Sequence, residues 1–181
     1  MKKILIVTLI IILIPYIVVT LFIKDDEINI NFISNTLVRV KREKSGEIIE
    51  VPLEDYVIHV VSGEMPITFQ DEALKAQAVA ARTYVIRKMK LNSNNSYDVV
   101  DTIKDQVYLD DETLKNKWNN KYEEYLNKIK KIVIDTKGEY LTYENEVIEP
   151  LFFSTSSGKT ENSEEVFQTA LPYLRSVDSS W

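Results

Sequence analysis

A mostly apolar run fills ILIVTLIIILIPYIVVTLFI, residues 4–23, and apolar residues afterwards recur at strand or helix spacing. That first run is twenty residues without a charge, about the number a helix needs to cross a bilayer. Beyond it, residues 37–40 and 48–51 read as two strands turning at Ser45-Gly46, while 29–33 reads as linker or as an earlier strand. Pro52 suits the first turn of a helix through residues 53–61, and Gly63 reads as its stop. Leu74, Ala78, Ala81, Val85 and Met89 form one apolar stripe on a second helix, residues 71–90. Its small side chains invite close packing, and Lys75 and Arg82 fall on a neighbouring face beside the core. Leu114, Trp118, Tyr122, Tyr125, Ile129 and Ile132 predict one long third helix. Residues 139–143 and 147–153 predict a hairpin, followed by a polar stretch over 154–165.

The flanks of the first run decide how it is read. Lys2 and Lys3 precede it, Asp25, Asp26 and Glu27 follow it, and residues 19–24 offer no Ala-x-Ala cleavage site. The expectation is a retained single-pass anchor with the N-terminus in the cytoplasm and the rest outside. Without Lys2 and Lys3, the outer part carries 20 basic against 28 acidic side chains, a net charge of −8. That sign argues against nucleic acid as a partner. No cysteine is present, so an exported domain must be held by its core rather than by disulfides.

Candidate chemistry narrows by elimination. Cysteine catalysis has no nucleophile, and one histidine with no cysteine makes a transition-metal site implausible. That histidine, His59, lies on an apolar helix and reads as structural; no nucleophile-elbow glycines surround a serine. Gly158-Lys159-Thr160 resembles the end of a phosphate-binding loop, but Phe153 stands where the earlier glycine is required. Glu64 is left, set between Gly63 and Met65-Pro66 in apolar surroundings that would favour its protonated form. A protonated carboxyl can give its proton to a leaving glycosidic oxygen. Taken alone, a glutamate in such a bend is more often a capping or surface residue.

Five blocks appear in order: VPLEDYVIHVVSGEMP, EALKAQAVAARTYV, QVYL, LFFSTSSGKTENSEEVF and LPYLRSVDSSW. Together they resemble the stage II sporulation protein D family, membrane-anchored peptidoglycan lytic transglycosylases related to amidase-enhancer proteins. The resemblance runs from about residue 37 to the end and implies an α+β fold, a single mixed helix/sheet domain over 37–181. Residues 1–23 would be the transmembrane anchor and 24–36 a linker. It implies that Glu64 is the catalytic acid, and that Lys75, Arg82, Ser154, Thr155, Ser156 and Lys159 line the glycan cleft. It implies peptidoglycan, the membrane and other stage II sporulation proteins (an amidase/endopeptidase, protein P, and a membrane protein, protein M) as partners. No cofactor is expected: residues 96–111 lack the His and Cys with which some relatives hold a metal, so no zinc is predicted. The family domain continues well past the Pro-Tyr-Leu block while this sequence stops at Trp181, so a C-terminally truncated domain is expected. The rival expectations are a non-catalytic wall-binding or amidase-activating module, and an inactive fragment.

Overall fold

The computed structural model describes residues 11, 13–15 and 35–179. The chain divides into two units, Met1–Asn31 and Phe32–Trp181, and the strands and helices with defined bounds belong to the second. The expected span over 4–23 and the segment 29–33 therefore lie outside the described residues, apart from 11 and 13–15, which are helical. Among the described residues, no helix is long and apolar enough to cross a membrane.

Strand β1 (Leu37–Lys41) alternates: Val38 and Val40 are fully buried, Leu37 is exposed. The chain turns at Gly46, whose φ of 75° suits a residue without a Cβ, with its N–H donating to Arg42 O at 2.8 Å. Strand β2 (Ile48–Pro52) returns antiparallel with Val38 opposite Val51, and β3 (Val99–Val100) joins the other edge of β1 in parallel. Arg39 locks that edge, its guanidinium 2.5 Å from the carboxylate of the buried Asp98.

From β2 the chain enters helix α1 (Leu53–Glu64) without a break, Leu53 N–H donating to Thr36 O at 3.0 Å. Helix α2 (Asp71–Leu91) follows after a short loop, then α3 (Asp111–Trp118), a 3₁₀ turn (Asn119–Lys121) and α4 (Tyr122–Asp135). Helices α1, α2 and α4 pack against one another. Of the stripe predicted on α2, Leu74, Ala78, Ala81 and Val85 are fully buried and Met89 is partly buried, packed in one core with Tyr56, Val57, Val60 and Val61 of α1, Ile129 and Val133 of α4, and Val38 and Val40. The mixed helix/sheet, α+β character expected for the domain is observed.

Three boundaries differ from expectation. Gly63 does not stop α1, which continues through Glu64 and ends with Met65 N–H donating to Val61 O at 3.1 Å. The long third helix is two helices, because Asn119 takes a φ of 50° and breaks the ladder while the buried stripe carries on through Tyr122, Leu126 and Ile129. The hairpin is short: β4 (Thr142–Tyr143) and β5 (Glu146–Val147) meet at Glu144-Asn145, both at positive φ, the geometry of a two-residue primed turn. A short helix α5 (Ser163–Phe167) occupies part of the stretch read as polar loop.

Candidate functional site

Glu64 is the last residue of α1, and its position is set by what lies against Gly63. A Cβ on Gly63 would stand 2.3 Å from the backbone oxygen of Val107, closer than any side chain tolerates. Glycine therefore lets the 106–108 segment run directly along the helix end. There the Val107 N–H donates to Glu64 Oε1 at 2.8 Å. Among the described residues, Glu64 Oε2 has no hydrogen-bond partner. In the bend expected to give it apolar surroundings, Glu64 is half-buried and held by a backbone donor.

The segment itself is tethered. Tyr56 O–H donates to Gln106 Oε1 at 3.1 Å, and the rings of Tyr56 and Tyr108 stack at 5.7 Å with 14° between their planes. Burial pushes the Tyr56 hydroxyl well above its usual range, reinforced by the charges of Asp105 and Glu64 among others, so it stays a neutral donor. Burial works against the charge of Asp105, but hydrogen bonds from Lys88, the Val100 N–H and Tyr84 outweigh it and hold that carboxyl below its usual range. Asp105 is thus occupied by the fold and not offered as a second acid. Lys117 Nζ donates to Ser62 O in the last turn of α1 at 3.0 Å, and Lys128 Nζ donates to Ile67 O at 3.0 Å and Phe69 O at 3.2 Å in the turn after Glu64.

The other expected site residues are distributed differently. Arg82 is fully buried, its guanidinium 2.6 Å from Glu54 and also donating to Val133 O at 3.3 Å and Glu139 O at 3.0 Å. The expectation that it lines a glycan cleft is corrected: on α2, position 82 points between the helices, and its charge is spent on a buried pair. Lys75 is partly exposed and held by Glu72 at 3.1 Å and Asp135 at 3.5 Å. Thr155, Ser156 and Lys159 line one cavity of about 590 Å³ together with Phe152, Phe153 and Phe167. Ser154, which is exposed, and Glu64, which is half-buried, both stand outside that lining. The acid is therefore not part of the wall of that cavity.

His59 is held on both sides, Nδ1 2.7 Å from Asp55 O and Nε2 3.1 Å from Asp111 Oδ1, as a structural residue would be. Among the described residues, no group of three or more His, Cys, Asp or Glu side chains is placed to hold a metal ion.

The model of the stage II sporulation protein family, SpoIID, matches residues 41–143, a stretch that contains Glu64, Val107 and all three packed helices. This chain belongs to that family. Stage II sporulation protein D of Bacillus amyloliquefaciens is 48% identical over 148 residues, covering 80% of this chain and 43% of the relative. Its counterpart in Bacillus subtilis (strain 168) is 49% identical over 146 residues, 78% of this chain and 43% of the relative. An amidase enhancer of Bacillus subtilis (strain 168) is 38% identical over 115 residues, 64% of this chain and 14% of the relative. The chain spans less than half the length of these curated relatives.

In this stage II sporulation family member, sequence reasoning missed the Val107 N–H, which donates to Glu64 Oε1. A backbone donor leaves no side-chain signature. The available signal was Gly63 itself: read as a helix stop, it is in fact a point of close approach, and the QVYL block supplies what approaches.

Proposed function

We propose that this chain is a membrane-anchored lytic transglycosylase that cleaves peptidoglycan glycan strands outside the cytoplasm, in wall remodelling during engulfment. The observation that carries the reading is a single carboxyl, Glu64, with one oxygen held by a backbone N–H and the other without a partner among the described residues. Most glycoside hydrolases need two carboxylates, because one must attack C1 or activate water. A transglycosylase finds its nucleophile in the substrate. Glu64 protonates the glycosidic oxygen as the C1–O bond breaks. The C6 hydroxyl of the N-acetylmuramic acid closes on C1 and returns its proton to Glu64, leaving a 1,6-anhydro end and a restored acid.

The cavity of Phe152, Phe153, Thr155, Ser156 and Lys159 offers aromatic faces, hydroxyls and a cation, groups suited to a sugar–peptide polymer rich in carboxylates. Lys75 is partly exposed and shared between Glu72 and Asp135, which compete with the same polymer for its charge. Within the family context, the amidase/endopeptidase protein P and membrane protein M of the same sporulation stage are the proposed partners. The relative named amidase enhancer favours a second reading, a wall-bound activator of an amidase. Incubating the full-length chain with purified glycan strands and analysing the muropeptides separates the two. New anhydro-muramic ends support the transglycosylase; strand binding without new ends supports the activator.

A further inference from the structure

Among the described residues, the hydrogen bond to the Glu64 carboxylate comes from Val107, and both backbone groups of that residue are committed to the same helix end. Its carbonyl oxygen occupies the space that a Cβ on Gly63 would need, 2.3 Å away, and its N–H reaches Glu64 Oε1 at 2.8 Å. One residue back, Gln106 is 2% exposed and anchored to Tyr56, which is itself fully buried in α1. One residue on, Tyr108 stacks on the same Tyr56 ring. Residues 106–108 are therefore strapped along α1 at two points, two turns apart, and both fixings bear on where Glu64 points.

We infer that Gly63, Val107 and Tyr56 form a positioning clamp that selects which oxygen of Glu64 carries the catalytic proton. The inference rests on the transglycosylase reading for the meaning of that proton, but the clamp has its own physical signature. An oxygen that accepts an N–H keeps its lone pair turned to the donor, so in the acid form the proton resides on Oε2. Oε2 is also the oxygen that no described residue engages, and so the one that can face a glycosidic oxygen. A carboxyl free to rotate would present either oxygen and spend part of its time with the proton turned away. The clamp removes that choice before substrate arrives, and its effect belongs in kcat rather than in binding.

The test uses the full-length chain in detergent micelles, with amide hydrogen exchange at Val107 and steady-state cleavage of glycan strands measured together. Exchange at Val107 is expected to be slow in the wild type and faster in both Glu64→Ala and Gly63→Ala. Gly63→Ala is expected to lower kcat by about a hundredfold with KM unchanged, the scale of a misplacement of about 1 Å. Tyr56→Phe keeps the stacked ring and loses the tether to Gln106; it is expected to lower kcat in the same sense and to a smaller degree. It serves as the kinetic variant if Gly63→Ala does not fold. Val107 exchange that is the same in wild type and Glu64→Ala overturns the clamp, as does wild-type kcat in a folded Gly63→Ala or Tyr56→Phe chain. A wild-type chain that makes no anhydro ends removes the transglycosylase reading, and the exchange comparison then decides the clamp by itself.

Discussion

Arg82 and Glu54 face each other inside the helical core, at 0% and 3% exposure, with the guanidinium also donating to two backbone carbonyls. Removing one partner leaves the other charged in a site closed to water, a change that typically costs about 3–5 kcal/mol. Arg82→Met should therefore lower the unfolding free energy by about that amount in a denaturant titration. Pairing it with Glu54→Leu should recover most of the loss, since the stranded carboxylate goes with it. A single Arg82→Met variant within about 0.5 kcal/mol of wild type, the usual range for surface changes, would contradict the buried pair. Asp110 gives a pH-dependent counterpart. It caps α3 by accepting the Thr113 N–H at 2.9 Å, and bonds from Thr113 together with Arg42 hold its carboxyl at about 2, below the usual 3.8. A depressed folded value means that the folded state favours the carboxylate. Its stabilisation is complete above the unfolded value and drains away as pH falls toward about 2. Asp110→Asn keeps a cap and should flatten the acid limb of a stability–pH curve between about 4 and 2; an unaltered limb would assign that dependence to other carboxylates.

Helix α2 is the element on which sequence and structure agree most closely, and the reason is physical. Its stripe of Leu74, Ala78, Ala81 and Val85 is a local pattern, and nothing long-range is needed to read it. Because the alanines are there to admit the neighbouring helices, Ala78→Leu should overpack the contact and cost about 1–3 kcal/mol, measured as a lowered denaturation midpoint. Midpoints equal to wild type would mean that the helices stand further apart than the structure places them. The same local pattern misled at position 82. A seven-residue spacing from Lys75 puts Arg82 on a nearby face, but only the arrival of Glu54 from α1 and of the 139–141 backbone turns that face inward. Likewise the break at Asn119 leaves the apolar stripe intact, so periodicity alone cannot report it.

For the molecule as a whole, the family and the identity of the candidate acid were legible in the order of short blocks, while the site's geometry was not. Glu64 could be named from EMP; that its oxygen is met by a backbone amide forty-three residues later depends on the packing of a loop against a helix end. The anchor proposal over 4–23 stands on the uncharged run and its flanking charges. N-terminal sequencing of membrane fractions should find the chain beginning at its first residues, and a mature form beginning after residue 20 would contradict a retained anchor. The central claim, that Glu64 is the acid and base of glycan cleavage, is tested most directly by the initial rate of anhydro-muropeptide release from Glu64→Gln against wild type. The amide preserves shape and still accepts the Val107 N–H, but it cannot give a proton. The rate should fall by about a hundred- to ten-thousandfold with strand binding retained, whereas release at the wild-type rate would remove Glu64 from the chemistry.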